Sequence, residues 1–116
     1  MNFIFNKKMR ISSSQEIAAL VGKGKSLSLY PIKLFYLKRA DASFSRMAVS
    51  VPKKSFKRAV DRNLLKRRTR EAYRLLRPGF DEKGEFYDLF IIYIGKEIED
   101  YDRIEKSVGT LLAKIR

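Results

Sequence analysis

The order of segments along this chain predicts an α+β domain: a small, mainly antiparallel sheet packed with helices, in the order α-β-β(-β)-α-β-α. Three observations predict it. Residues 53–77 contain no Gly or Pro and read as one long basic helix. Two stretches of strand composition, 27–37 and 46–51, come before it, and a nearly continuous apolar run, 87–94, comes after it. The last segment places Ile104, Val108, Leu111, Leu112 and Ile115 at the spacing of one helix face.

With 116 residues and 45% apolar content, the chain has material for one domain, residues 1–116, with one modest core. Residues 1–12 read as a basic, partly apolar arm, pinned by Phe3 and Ile4. In order after it, Ser13-Ser14-Gln15-Glu16 matches a capping box, so a short helix should run through Ile17, Leu20 and Val21 and end at Gly22 and Gly24. The loop Gly22-Lys-Gly-Lys-Ser26 has a superficial likeness to a phosphate-binding P-loop. That pattern needs a Gly at position 19, where this chain has Ala, and a preceding strand rather than a helix.

Pro31 interrupts the strand material of 27–37, which implies an edge, a bulge or two short strands. Residues 46–51 should form a hairpin with the strand before them, and Pro52 ends them. Ser55 is placed to cap the basic helix and Pro78-Gly79 to stop it. The run 87–94 reads as a strand buried on both faces. Asp100 or Asp102 can cap the last helix.

Composition removes several function classes. The chain has no Cys, hence no disulfide and no thiolate metal site, which fits a reducing compartment. It has no His, the commonest general base and a frequent ligand for zinc. No apolar run approaches membrane-spanning length, and the start MNFIFNKKMR does not read as a signal peptide. A cytoplasmic, monomeric protein is expected. No catalytic constellation emerges. The carboxylates at 97, 99, 100, 102 and 105 could bind a hard cation, but they also sit where acids favour the dipole of a following helix.

The charge is concentrated. Residues 53–77 hold eleven Lys and Arg against Asp61 and Glu71, a net +9 within a chain of +13. On a helix, Leu64, Leu65, Ala72, Leu75 and Leu76 fall on one face, and Arg62, Asn63, Lys66, Arg67, Arg70, Arg74 and Arg77 on the other, with Arg68 at the edge. Like-charge neighbours such as Arg62/Lys66 and Lys66/Arg70 repel each other. A polyanion offsets that cost, and nucleic acid is the expected one. A membrane binder would need exposed apolar residues opposite its charges, and here the core should consume that face.

The segment Ala59-Val60-Asp61-Arg62-Asn63-Leu64-Leu65-Lys66-Arg67-Arg68-Thr69-Arg70-Glu71-Ala72-Tyr73, preceded by Val49-Ser50-Val51-Pro52-Lys53-Lys54, closely resembles the signature of the bacterial ribonuclease P protein component. The resemblance spans roughly residues 10 to 115. It implies a ribosomal-protein-domain-like α+β sandwich with a left-handed β-α-β crossover through the basic helix. It also implies that the chain joins a large catalytic RNA, and that the holoenzyme removes the 5′ leader of precursor tRNA by hydrolysing one phosphodiester. In that family the RNA performs the chemistry with bound Mg²⁺, so no catalytic or metal-ligating residue is expected in the protein.

Carried over residue by residue, the resemblance places Lys53, Lys54, Arg62, Asn63, Lys66, Arg67 and Arg70 against the catalytic RNA. It assigns Ile17, Val21, Phe35, Arg46 and Ser50 to a cleft for the single-stranded leader. This chain departs from the family's pattern in four places. Leu64 replaces the third residue of the usual R-N-R, and Arg68 stands where an apolar residue is common. Ile17 and Val21 stand where aromatic residues often occur, and Ser55-Phe56-Lys57 lacks a usual Gly and is one residue longer. Tyr30 and Tyr36 are further candidates to stack on bases, with core packing as the competing role for every aromatic in this strand. Strand alternation allows only one of Phe35 and Tyr36 into the cleft, and the resemblance favours Phe35.

Overall fold

In the computed structural model of the protein, which describes residues 9–115, three helices and four strands follow the expected order. They are α1 (Ser14–Lys23), β1 (Lys25–Leu29), β2 (Ile32–Lys38), β3 (Arg46–Ser50), α2 (Ala59–Asp81), β4 (Tyr87–Tyr93) and α3 (Tyr101–Lys114). Most of the arm expected over 1–12, including Phe3 and Ile4, lies outside the described residues. Its end runs beside β3, where the Ile11 amide donates to the Met47 carbonyl and Ile11 is buried.

The helix ends follow local chemistry. The Ser13 hydroxyl accepts from the Glu16 amide and opens α1; Asp100 accepts from the Arg103 amide and opens α3. Gly22 lies inside α1, and Gly24 closes it. A Cβ on Gly24 would sit 2.5 Å from the Leu20 carbonyl oxygen and 2.7 Å from that of Tyr36, so only glycine lets the helix end press this close to β2.

Pro31 separates β1 and β2, which pair antiparallel as a hairpin. The sheet order is β1-β2-β4-β3, so the hairpin expected between 27–37 and 46–51 does not form. β4 lies between them, antiparallel to β2 and parallel to β3. The most apolar strand takes a central place, and the five-residue β3 takes an edge. The sheet is therefore mixed, with two of its three pairings antiparallel.

β4 is not buried on both faces. Tyr87, Leu89, Ile91 and Tyr93 are buried, while Asp88, Phe90 and Ile92 alternate with them and are half-exposed. The buried set joins Ile32 and Leu34 of β2, Leu65, Ala72, Tyr73 and Phe80 of α2, and Ile104, Val108, Leu111 and Leu112 of α3 in one core. Both long helices thus cover one sheet face, and α1 covers only part of the other. That is why Phe90 and Ile92, expected in the core, lie outside it.

α2 differs from expectation at both ends. It starts at Ala59 rather than after Ser55, because the amides of Ser55 and Phe56 turn back to the Pro52 carbonyl. It continues through Pro78 to Asp81. Pro78 removes one helical hydrogen bond, but Phe80 is buried beyond it and Arg77 pairs with Asp81 at 3.1 Å, which holds the last turn. Its buried face runs through Leu65, Thr69, Ala72, Tyr73 and Phe80, with Leu75 exposed and Leu76 half-buried, a rotation from the face expected from the leucines alone. Thr69 tolerates full burial because its hydroxyl donates to the Leu65 carbonyl at 2.8 Å. Arg68, at the edge, donates to the Glu99 carbonyl and ties α2 to the loop before α3.

Candidate nucleic-acid interface

With one face of α2 consumed by the core, its cations turn outward together with the turn before it. Lys53, Lys54, Asn63 and Arg67 are exposed, and Arg62, Lys66 and Arg70 are half-buried. Lys53, Lys54, Lys66 and Arg67 form no ion pair with an acid among the described residues. The cations further along α2 do not belong to this surface. Arg74 bonds Glu71 at 2.7 Å and holds that carboxyl below its ordinary range; Arg77, with its side chain 12% exposed, is drawn to Asp81. Arg62 is also engaged: its Nη1 donates to the carbonyls of Phe56 at 2.8 Å and Lys57 at 2.9 Å.

The open sheet face carries the second expected group. Strand register aligns Phe35 with Phe90, Lys33 with Ile92, Arg46 with Asp88, Ala48 with Phe90 and Ser50 with Ile92. Phe35 and Phe90 stack at 6.4 Å between ring centroids, and the Lys33 ammonium lies 5.1 Å from the Phe35 ring. Tyr36 points the other way and meets Tyr87 edge-on beside the core. Tyr30, at the hairpin tip, is taken up on the α3 side: its hydroxyl donates to Glu99, and Arg103 lies over its ring.

α1 crosses one end of this face. Glu16 in its first turn accepts from Arg46 at 2.9 Å, and Arg46 also donates to both oxygens of Asp88, at 2.9 and 2.8 Å. Those bonds, Asp88 foremost, raise the Arg46 guanidinium above its ordinary value. Beside them a cleft of about 170 Å³ is lined by Arg10, Ile17, Ala48, Val49 and Arg70 among others. Val21, exposed one turn beyond Ile17, is not among its lining residues. Arg70 therefore belongs to two surfaces at once, the basic face of α2 and the cleft under α1. Burial lowers its guanidinium from the ordinary value, and the charge of Arg10 adds to that. A cation held under that strain gains from any anion that reaches it.

The Ribonuclease P family model matches residues 5–116. This chain belongs to the ribonuclease P protein family. The ribonuclease P protein component of Porphyromonas gingivalis ATCC 33277 is 34% identical over 119 residues, covering 97% of this chain and 87% of the relative. That of Dictyoglomus turgidum is 35% identical over 100 residues, covering 86% and 81%. Among solved structures, the RNase P protein of Thermotoga maritima superposes with a TM-score of 0.75 at 25% identity, covering 92% of this chain and 97% of that one. The RNase P protein of Staphylococcus aureus, at 22% identity, shares the fold with the same TM-score of 0.75, covering 90% and 93%.

As a ribonuclease P protein, the chain brings to its open face several residues that reading its sequence missed. Phe90 completes the ring pair with Phe35, Lys33 lies beside it, and Glu16 and Asp88 surround Arg46. One signal was present. Asp88 inside an otherwise apolar run marks the strand face that water reaches, and Phe90 and Ile92 follow it by strand period.

Proposed function

We propose that this ribonuclease P protein joins the catalytic RNA of the holoenzyme through Lys53, Lys54, Asn63, Lys66, Arg67 and Arg70. In this reading it holds the 5′ leader of precursor tRNA against the open sheet face, assisting endonucleolytic removal of the leader in the cytoplasm. The observation that carries the reading is the position of Arg70, where the unpaired basic face of α2 runs into the cleft under α1. One continuous anionic partner can follow both surfaces. Phe35 and Phe90 offer a flat surface for a base, Ile17 and Ala48 aliphatic contacts, and Ser50 a hydroxyl donor on the same face. Arg62 serves by holding the turn that carries Lys53 and Lys54.

The catalytic RNA supplies the chemistry in this reading, with Mg²⁺ as its ion. Among the described residues no group of three or more Asp or Glu converges to hold a metal, and no step of the protein's role passes through one. No helix among the described residues is long and apolar enough to cross a membrane. Phosphate neutralisation by Lys and Arg releases condensed counterions, so affinity for the catalytic RNA should fall steeply with salt.

The test is the affinity of the Arg67→Ala/Arg70→Ala double variant for the catalytic RNA at moderate salt. Each lost charge-assisted contact should weaken binding by about 1–3 kcal/mol, with the fold intact. An unchanged affinity would remove α2 as the RNA-facing element.

A further inference from the structure

Arg46 was expected to meet the leader, yet its guanidinium is already enclosed by two carboxylates. Asp88 takes Nε and Nη2 in a bidentate pair, and Glu16 takes Nη2 from above. Arg39 lies 3.6 Å from Asp88 as well, so Asp88 is shared between two arginines, whereas the one ion pair of Glu16 among the described residues is with Arg46. The two carboxylates are not equivalent. Asp88 lies on the neighbouring strand with its side chain 18% exposed, and the sheet fixes its register with Arg46. Glu16 belongs to α1, and its side chain is 47% exposed. A bidentate, part-buried pair on a shared sheet holds better than a single exposed contact between two elements.

We propose that Glu16 is a specificity-determining residue of the leader cleft, whose carboxylate occupies at Arg46 the place of a leader phosphate. The proposal rests on the reading that this cleft holds the leader. Arg46 is then chiefly a positioning residue: paired with Asp88 it presents one remaining exposed contact, which α1 or the RNA can take. A phosphate that approaches meets the charge of Glu16 and must displace it. Only a segment anchored elsewhere, on Phe35 and Phe90 or at Arg70, has the binding free energy to do so. Glu16 thereby lowers the affinity of any phosphate for this cleft, the leader's included, and leaves binding to a segment that makes several simultaneous contacts.

Glu16→Gln separates these roles. It removes the charge while leaving the start of α1 capped, because Ser13 accepts from the backbone amide of residue 16. The measurement is the ratio of affinities for precursor and mature tRNA, in holoenzyme reconstituted with the cognate catalytic RNA. An exposed ion pair sets the scale, so precursor affinity should rise about two- to five-fold at low salt, and the gain should shrink as salt is added. Mature tRNA, lacking a leader, should bind as before. Glu16→Asp keeps a charge in the first turn of α1 but withdraws it from Arg46, so it should move affinity in the same direction, and it decides the matter if Glu16→Gln does not fold. Precursor affinity that is unchanged or reduced in a folded variant overturns the proposal. Phe35→Ala, measured alongside, separates this from failure of the cleft reading. If Phe35→Ala reduces the preference for precursor while the Glu16 variants leave it alone, Glu16 alone is misassigned; if Phe35→Ala also has no effect, the cleft itself does not hold the leader.

Discussion

Arg62 is bonded to Phe56: its Nη1 donates to the Phe56 carbonyl at 2.8 Å, and to the adjacent Lys57 carbonyl at 2.9 Å. The second turn of α2 is thereby fastened to the turn that enters it. Phe56 is buried edge-on against Tyr93, so the same turn is anchored from its apolar side. Between those two anchors and Pro52 lie the exposed Lys53 and Lys54. An arginine in the middle of the stretch proposed to face the RNA is thus bonded to the chain's own backbone.

Arg62→Ala should therefore destabilise the folded protein by about 1–3 kcal/mol, the usual consequence of leaving a part-buried carbonyl, that of Phe56, without its charged donor. Arg62→Lys should recover only part of this, because an ammonium lacks the planar fork of a guanidinium. Denaturant unfolding without RNA measures it. A purely phosphate-binding Arg62 would leave the midpoint unmoved in both variants.

Core packing gives a sharper contrast along the same helix. Leu65 is fully buried, and Leu75, expected on the same face, is 43% exposed. Leu65→Ala should cost about 2–5 kcal/mol, while Leu75→Ala should stay within about 0.5 kcal/mol. Equal losses in equilibrium unfolding would mean that α2 is rotated from the orientation described.

Asp81 connects the end of α2 to the sheet, through Arg77 on one side and the Ser45 hydroxyl on the other. Burial raises its carboxyl above the ordinary 3.8, against the opposing pull of Arg77 and Ser45. A raised value means that the folded state binds this proton more tightly than the unfolded chain does. The group's contribution to stability is thus fully present below the ordinary value and is lost as pH rises through the folded one. Titration of the Asp81 carboxyl by NMR should give a midpoint above 3.8. A midpoint at or below that value would show that the ion pair with Arg77 outweighs burial.

What could be read from the sequence was what local chemistry decides. The Ser13 and Asp100 caps, the stop at Gly24 and the buried stripe Ile104, Val108, Leu111, Leu112 depend on residues within a turn or two of one another. Strand order does not. Nothing near residues 46–51 records that β4 will come between β3 and β2, because the pairing is decided by a run some forty residues away. The leucines of α2 point to a face rotated from the buried one, because Thr69, whose hydroxyl is bonded to the preceding turn, packs like a small apolar group. Pro78 reads as a stop because a missing amide is visible in sequence, whereas the burial of Phe80 beyond it is not. In the candidate site, the basic residues stood out by type. The trio of Arg46, Asp88 and Glu16 did not, because it joins three elements that only the fold brings together.

In the proposed function, this chain assists a catalytic RNA in removing the 5′ leader of precursor tRNA. Its most direct test is cleavage of precursor tRNA by the cognate catalytic RNA at low Mg²⁺, with and without the protein. Cleavage should be faster, precursor binding tighter and the Mg²⁺ requirement lower when the protein is present. Identical binding, rate and Mg²⁺ dependence in its presence and absence would contradict it.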